Sequence, residues 1–248
     1  MLAGNIVQVR PERKALSAAV SPTCCSGREQ RSKTAHVGGA ISFSKSRMRR
    51  DRGKKSVLRF ELRGLRRALS ATDHRTRSQQ AARLIARLPQ FSAGRRVAVY
   101  LPFDRETDTA ALIAAGRRRM VRLYVPVVAD RRHRLLRFYP LGGRTRRGVF
   151  GIEVPRRTAL PVASRWFDLI VVPCVGIDSA GRRLGMGGGF YDRSMEFRRR
   201  RASWRGPLLV GMVFDCQCVD SVHADPWDLR LDAAATESGL NRCSQGST

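Results

Sequence analysis

The first regular pattern of hydrophobic residues along the chain lies in residues 58–69 and has helical spacing. Four leucines recur at intervals of four, three and four residues, which places them on one face of a helix. They are Leu58, Leu62, Leu65 and Leu69. A second helix is predicted from Asp73, a suitable N-cap, to Leu88, because Pro89 follows.

Short aliphatic and β-branched runs further along predict strands. They lie at residues 97–101, 121–125, 135–139, 166–173, 208–214 and 232–236. An Ala-rich helix ending at Gly116 separates the first two, and residues 191–201 predict another helix because they contain neither Gly nor Pro. Strands that alternate with helices favour an α/β fold. The sequence therefore predicts three layers, a mainly parallel sheet flanked by helices.

Residues 1–53 lack this pattern. They are rich in Ser, Gly and Arg, a composition that cannot bury a core of its own. We interpret them as a disordered basic extension, or as a start assigned too early with Met48 as one alternative initiator. The alternative is a basic arm that binds nucleic acid. Residues 54–240 are predicted to form a single α/β domain, and residues 241–248 a tail.

Composition narrows the class of protein. With 248 residues and 42% hydrophobic residues, the chain can bury a sizeable core. No apolar run approaches the roughly 20 residues that cross a bilayer, and residues 1–10 do not resemble a signal peptide. We therefore expect a cytoplasmic protein with no membrane partner, and a monomer. The six cysteines form no C-x-x-C pair, so neither zinc nor a disulfide framework is expected.

The net charge of +28 is unusual, and only five of the 48 basic residues are Lys. Such a charge can indicate nucleic-acid binding. The arginines are spread along the whole chain, however, and aromatic residues that would stack on bases are not interleaved with them. We favour a compositional bias of the source organism and regard a nucleic-acid partner as the alternative.

The most informative chemical feature is a glycine cluster, RLGMGGGFYD, at residues 183–192. It lies between a predicted strand and a predicted helix, where free backbone N–H groups and the helix dipole favour an anion. Glycines let the backbone approach that anion closely. Arg182 and Arg183 flank the cluster and can donate to phosphate oxygens, and Asp192 is placed to reach Mg²⁺.

Known phosphate motifs do not describe this cluster. A Walker loop needs a Lys and a hydroxyl residue that it lacks, and the dinucleotide pattern would place Phe190 where a glycine belongs. A flexible Gly-rich turn explains the glycines alone equally well. The Arg pair and Asp192 favour phosphate binding.

Several segments together resemble the 5-formyltetrahydrofolate cyclo-ligase family, also called methenyltetrahydrofolate synthetases. They are Lys55-x-x-x-Arg59, residues 100–103, Glu106-x-Asp108-Thr109, residues 124–126, residues 150–155, residues 183–193, residues 215–217 and Trp227-Asp228. The resemblance covers about residues 54–240. It implies conversion of 5-formyltetrahydrofolate and ATP to 5,10-methenyltetrahydrofolate, ADP and phosphate, with Mg²⁺ as cofactor.

The implied reaction explains the residue types. A formamide carbonyl is a poor electrophile, so its oxygen would take the γ-phosphoryl group of ATP, after which the folate nitrogen at position ten attacks and phosphate departs. Such a transfer asks the protein mainly for positioning and charge neutralisation.

The resemblance also implies roles for individual residues. The implied ATP contacts are Lys55, Arg59, Arg183, Leu184, Gly185, Met186, Gly187, Gly188, Gly189, Phe190 and Tyr191. The implied folate contacts are Leu101, Glu106, Met186, Gly187, Gly188, Gly189 and Phe190. Asp192 and Asp228 are the implied Mg²⁺ carboxylates, and Arg183 and Asp192 the implied catalytic residues.

Structural alternatives exist for these residues when each is taken alone. Glu106 and Asp108 suit a solvated turn in which Asp108 or Thr109 caps the next helix. Lys55 and Arg59 suit an ordinary charged helix face. Asp228, beside Trp227, suits an ordinary surface position.

One feature departs from the family pattern. Some members carry Arg or Lys within the glycine cluster, where this chain has Met186 and Gly188. The missing charge is then expected from Arg182 and Arg183, or from the region of Arg118 and Arg119.

Overall fold

In the computed structural model of the protein, the described residues are 45–142, 145–147, 153–155, 160–200 and 206–243. The helices in this part of the chain are α1 (Lys45–Ala68), α2 (Ala71–Ala86), α3 (Ala110–Arg118), α4 (Phe190–Ser194) and α5 (Phe197–Arg200). The strands are β1 (Arg96–Ala98), β2 (Arg122–Asp130), β3 (Leu135–Pro140), β4 (Thr145–Arg147), β5 (Glu153–Pro155), β6 (Leu169–Pro173), β7 (Gly176–Ile177), β8 (Arg183–Leu184), β9 (Leu208–Met212), β10 (Ala233–Ala235) and β11 (Leu240–Arg242).

Seven strands form the main sheet, in the order β11-β10-β9-β6-β1-β2-β3. The five inner strands are parallel, and both edge strands run antiparallel to their neighbours. Val97 of β1 pairs with Leu123 of β2 on one side and with Leu169 of β6 on the other. The chain therefore winds in opposite directions from β1, and the loops after β1 and β6 flank a crevice of the kind that binds ligands in open α/β sheets.

Helices and loops cover both faces of the sheet. On one face, Ile85 of α2 and Leu112 of α3 pack against β-strand residues such as Val171. On the other, Met195 and Leu229 pack against Ile170. The layered arrangement confirms the predicted three-layer α/β fold with a mainly parallel sheet.

Helix α1 crosses the carboxyl edge of the sheet. Leu62 is buried there with Val175 and Leu184 in a small apolar cluster. Leu65 is 52% exposed although the leucine spacing places it on the same face, and Arg66, which that spacing places on the helix surface, is fully buried. Arg66 lies one helical turn after Leu62 and reaches a carboxylate in the loop after β1, which explains why it occupies an interior position.

The predicted boundaries differ from the structure in several places. The N-cap of α2 is Ser70, whose side chain accepts from the Asp73 N–H, so the prediction that Asp73 is the N-cap is wrong. Helix α1 begins at Lys45, inside the segment interpreted as an extension, and β11 includes residues assigned to the tail. The single helix expected over residues 191–201 is instead two short helices, because buried Met195 ends α4 in a non-helical conformation. Residues 1–44 and 244–248 lie outside the described residues.

Candidate functional site

Lys55 connects the middle of α1 to the segment before β10. Its Nζ donates to Asp225 Oδ2 at 2.5 Å and to Asp228 Oδ2 at 2.7 Å. Burial disfavours the ammonium, but the two carboxylates outweigh it and hold the pKa of Lys55 above its ordinary value. Lys55 is therefore a nearly buried cation held by two carboxylates, not part of an ordinary solvated helix face.

Arg59 lies one turn further along α1 and contacts the glycine loop, residues 185–189. Its Nε donates to Gly185 O at 2.8 Å. Its Cζ lies 3.7 Å from the position that a Cβ on Gly187 would take, and Gly187 has a φ of +93°. Burial lowers the pKa of Arg59, and Asp228 opposes that effect. The helix thus places a guanidinium directly against the loop.

Arg183 and Asp192 form an ion pair beneath the same loop. Arg183, only 6% exposed, donates from Nη2 to Asp192 Oδ1 at 2.8 Å. The Leu229 N–H donates to the same oxygen at 3.0 Å. Burial opposes both charges, but each partner stabilises the other, so the pKa of Asp192 is lowered and that of Arg183 is raised. Both groups are therefore charged at neutral pH.

The loop needs glycine where it approaches these cations. A Cβ on Gly185 would lie 2.8 Å from Nη1 of Arg183, so a side chain there would require the paired guanidinium to shift. Gly187 and Gly189 both have positive φ, +93° and +68°. The glycines therefore serve close packing against guanidinium groups as well as backbone conformation.

A helix follows the glycine loop as predicted, but it is too short for its dipole to contribute much. Helix α4 has only five residues, so few peptide dipoles are aligned behind its first turn. The positive charge at the loop comes instead from Arg59 and Arg183. Side chains, rather than a helix terminus, make this region attractive to an anion.

The remaining loop residues differ in exposure. Met186 is 45% exposed, and Phe190 is half-buried with its ring against Gly188. Tyr191 is half-buried, with the Arg183 guanidinium 5.5 Å from its ring centre. The Leu184 side chain is buried beneath α1, so it is not available to a ligand.

The loop after β1 carries the other predicted site residues. Leu101 is half-buried and packs against the core on the α2 side. Glu106 Oε2 accepts a hydrogen bond from the Phe103 N–H at 3.1 Å. Burial raises the pKa of Glu106, although the Phe103 N–H and Arg66 oppose this effect. Glu106 is therefore a desolvated carboxylate rather than part of a solvated turn.

Asp108 and Thr109 have structural roles, as the alternative interpretation expected. Asp108 Oδ1 accepts from the Ala110 N–H at 2.8 Å and caps α3. Thr109 Oγ1 donates to Tyr100 O at 2.8 Å and makes no capping bond.

Sequence reasoning missed a cluster of three arginines around Asp104. Arg63 Nε donates to Asp104 Oδ2 at 2.8 Å, Arg66 donates to Asp104 O at 2.7 Å, and Arg67 contacts Oδ1. Burial disfavours the Asp104 carboxylate, yet the bonds from Arg67 and Arg63 hold its pKa below the ordinary value. The only local signal of this cluster in the sequence is the presence of three arginines within five residues of α1. No local pattern identifies Asp104 as their partner.

Three arginines proposed as sources of loop charge lie elsewhere. Arg182 Nε donates to Asp178 Oδ2 at 2.8 Å. Arg118 and Arg119 lie at the end of α3, which leads to the amino end of β2, the opposite edge of the sheet. Arg183 is the only one of these candidates that the structure places at the loop.

A cleft of about 460 Å³ lies at that opposite edge, between the starts of β6 and β9. Its charged side chains are paired with each other, Arg95 with Asp168 and Arg198 with Asp232, at 2.8 Å and 2.7 Å. The carboxyl edge differs in that two cationic side chains, Arg59 and Arg183, lie directly against an exposed glycine loop. We therefore assign the candidate site to the carboxyl edge.

The carboxylates at this edge suit Mg²⁺ as partial ligands. Asp192 and Asp228 each use one oxygen in the bonds above, and the other oxygen of each makes no hydrogen bond to another described residue. No group of three or more acidic, His or Cys side chains in the described part of the chain forms a complete metal cage. Mg²⁺ commonly takes only one or two protein carboxylates and completes its shell with phosphate and water, so these residues fit that ion.

The protein is an α/β protein with a candidate ligand site, cationic and lined by glycines, at the carboxyl edge of a mainly parallel sheet. Residues 51–237 match the model of the 5-formyltetrahydrofolate cyclo-ligase family. The chain belongs to that family, which confirms the resemblance seen in the sequence, and it is accordingly a ligase.

Individual relatives agree with this assignment. The 5-formyltetrahydrofolate cyclo-ligase of Escherichia coli K12 is 33% identical over 184 residues, covering 71% of this chain and 97% of the relative. That of Haemophilus influenzae is 31% identical over 186 residues, covering 72% and 95%. The structure of 5,10-methenyltetrahydrofolate synthetase from Aquifex aeolicus superposes with a TM-score of 0.66 at 29% identity, covering 78% of this chain and 95% of that one.

Among the described residues, no helix is both long enough and apolar enough to cross a membrane.

Proposed function

We propose that the protein catalyses the ATP- and Mg²⁺-dependent conversion of 5-formyltetrahydrofolate to 5,10-methenyltetrahydrofolate, with release of ADP and phosphate. The observation that carries this proposal is the charged pair Arg183–Asp192 beneath an open glycine loop, with Arg59 against the same loop. Family membership supplies the folate substrate, and the site supplies groups suited to a triphosphate.

The glycine loop and its cations would bind the phosphates of ATP. Met186, Gly187 and Gly188 are exposed in this loop, and guanidinium groups bind phosphate oxygens bidentately. Lys55 would hold Asp228 in place and add positive charge nearby. Leu184 would act indirectly, because its place in β8 positions the start of the loop. Phe190 and Tyr191, at the start of α4, would cover the other end of the loop.

Asp192 and Asp228 would hold Mg²⁺ through their uncommitted oxygens. The ion would neutralise charge on the phosphates during transfer. Arg183 would orient Asp192 through its hydrogen bond at 2.8 Å, and would stabilise negative charge that develops on the transferring group.

The folate would lie between the glycine loop and the loop after β1. Glu106 would accept hydrogen bonds from pterin N–H groups, and Leu101 and Met186 would contact the apolar faces of the substrate. Bringing the formyl oxygen and the γ-phosphate together at residues 186–190 is the main task of the site, because the transfer depends chiefly on position and charge.

The experiment that tests this proposal is formation of the methenyl chromophore by purified protein given 5-formyltetrahydrofolate, ATP and Mg²⁺. Asp192→Asn should lower kcat/KM at least a hundredfold, since it removes a carboxylate expected to hold Mg²⁺ and to balance Arg183. Asp168→Asn, at the other edge of the sheet, is the matched control and should keep near-normal turnover. Equal activities of the two variants would refute the assigned site.

We further propose that the enzyme acts in the cytoplasm as a monomer.

A further inference from the structure

The glycine loop carries no basic side chain, yet three arginines surround it. Arg59 lies against Gly187, and Arg183 lies against Gly185. The third is Arg134, whose Nη1 is 3.4 Å from the position that a Cβ on Gly189 would take. These guanidinium groups come from α1, from β8 and from the turn between β2 and β3, so the fold assembles the charge that the loop sequence lacks.

The fold holds the Arg134 turn close to the loop. β3 begins immediately after Arg134, and the Leu136 N–H donates to Ser194 Oγ of α4 at 2.8 Å. Arg134 itself has a φ of +56°, which turns the chain at this point. Gly189 has no side chain to keep the guanidinium away, and the Arg134 Cδ would also lie 3.6 Å from its Cβ position.

Arg134 differs from the other two arginines in its bonding. Arg59 already donates to Gly185 O, and Arg183 already donates to Asp192. The Arg134 guanidinium makes no hydrogen bond or ion pair with any residue in the described part of the chain. The carboxylate nearest in sequence, Asp130, is bound to His133 instead, with His133 Nδ1 and Asp130 Oδ2 2.6 Å apart. A guanidinium held against a glycine without an acceptor is suited to receive one from a ligand.

We propose that Arg134 binds the phosphate chain of the nucleotide and supplies charge that the glycine loop itself lacks. This inference rests on the proposed function, because it takes the glycine loop to be the phosphate site. The carboxylates of the folate substrate are anions too, and Gly189 is an implied contact of both substrates. We assign the nucleotide because the other two arginines at this loop, Arg59 and Arg183, are the groups proposed to bind its phosphates.

The test compares steady-state kinetics of Arg134→Gln, Arg134→Lys and Arg132→Gln with those of the wild type. Loss of one charge-assisted hydrogen bond should raise the KM for ATP by about tenfold in Arg134→Gln. The KM for 5-formyltetrahydrofolate should change less than twofold, and Arg134→Lys should recover part of the ATP affinity. Arg132 is exposed in the same turn, so Arg132→Gln controls for a general change in surface charge and should match the wild type.

A binding measurement without turnover completes the test. ATP and Mg²⁺ should raise the Tm of the wild type and of Arg132→Gln by similar amounts, and that of Arg134→Gln by clearly less. An unchanged KM for ATP in Arg134→Gln overturns the inference, as does an increase confined to the KM for folate. Absence of ATP-dependent turnover in the wild type would instead be a failure of the proposed function.

Discussion

At the scale of single residues, the site is built from charges that are buried together with their partners. Arg66 is fully buried, and its Nη2 bonds both the carbonyl and the carboxylate of Asp104. Its Nε and Nη1 have no hydrogen-bond partner in the described structure. Removing one member of such a cluster leaves the other charge desolvated and unpaired, which is more destabilising than loss of a surface ion pair.

Asp104→Ala should therefore lower the free energy of unfolding by about 3–5 kcal/mol, measured by urea denaturation at pH 7. Asp130→Ala, which removes an exposed carboxylate, should change it by less than about 1 kcal/mol. Because arginines hold the pKa of Asp104 below 3.8, its contribution is present above about pH 4 and is lost as the pH falls through the lowered pKa. Equal stabilities of the two variants at pH 7 would contradict the assigned cluster.

For Glu106, we expect a substitution that keeps or raises stability to weaken folate binding. Burial raises its pKa above 4.5, so the folded protein disfavours the ionised form at neutral pH. Glu106→Gln keeps an oxygen for the Phe103 N–H and removes the buried charge; the Tm at pH 7 should therefore be equal or higher. The KM for 5-formyltetrahydrofolate should rise at least tenfold, because the amide is a poorer acceptor for pterin N–H groups. A lowered Tm with a normal KM would show that Glu106 is structural.

The pH profile gives a second measurement on the same residue. In the wild type, kcat/KM for folate should fall as the pH drops through the raised pKa of Glu106, because protonation removes the acceptor. This acidic limb should be absent in Glu106→Gln. An identical limb in both proteins would assign the titration to another group.

At the scale of elements, α1 and the glycine loop form one unit. Helix α1 supplies Lys55 and Arg59 to the site, while Leu62 anchors the helix in the core beside Gly176. The loop lies between β8 and α4, both too short to fix it alone. Contacts from α1 are therefore what hold the loop in place.

Gly185→Ala should disturb this unit, because its Cβ would lie 2.8 Å from Nη1 of Arg183. We expect a loss of at least tenfold in kcat/KM for ATP with the fold retained by circular dichroism. Gly64→Ala is the control, since a Cβ there meets no atom within 4 Å and alanine favours the helix. Full activity of Gly185→Ala would mean that Arg183 tolerates displacement.

Sequence patterns predicted the elements better than the contacts between them. The buried strands, such as residues 169–173, were predicted because both sheet faces are covered and the run is continuously apolar. Lys55 and Asp225 are 170 residues apart, so no local pattern identifies their pairing. The burial of Arg66 was not predicted from the leucine spacing for the same reason. Its interior position depends on Asp104, which lies in the loop after β1. Arg134 was missed because a turn in a hairpin gives no signal of what lies opposite it.

At the scale of the whole molecule, the charge of +28 raises the question of a nucleic-acid partner. At the site, Lys55, Arg63, Arg66 and Arg183 are all committed to carboxylates. These four basic residues serve internal pairing and therefore do not form part of an extended basic surface. A nucleic-acid arm within residues 1–53 remains the competing hypothesis for the excess charge.

Removal of residues 1–44 should separate the two hypotheses. All described contacts of the site come from Lys45 onward, so the shortened protein should keep its kcat/KM within about twofold. If those residues bind RNA, the full chain should bind it with strong salt dependence and the shortened protein should not. Loss of turnover on truncation would contradict the assignment of the site to the described residues.

The central claim is that this protein couples ATP cleavage to ring closure of a folate. The most direct measurement is the ratio of ADP released to methenyltetrahydrofolate formed when the wild type is given 5-formyltetrahydrofolate, ATP and Mg²⁺. We predict about one ADP for each methenyl product, and no product when ATP is omitted, because the γ-phosphoryl group must activate the formyl oxygen. Methenyl formation without ATP, or ATP cleavage without methenyl formation, would contradict the account.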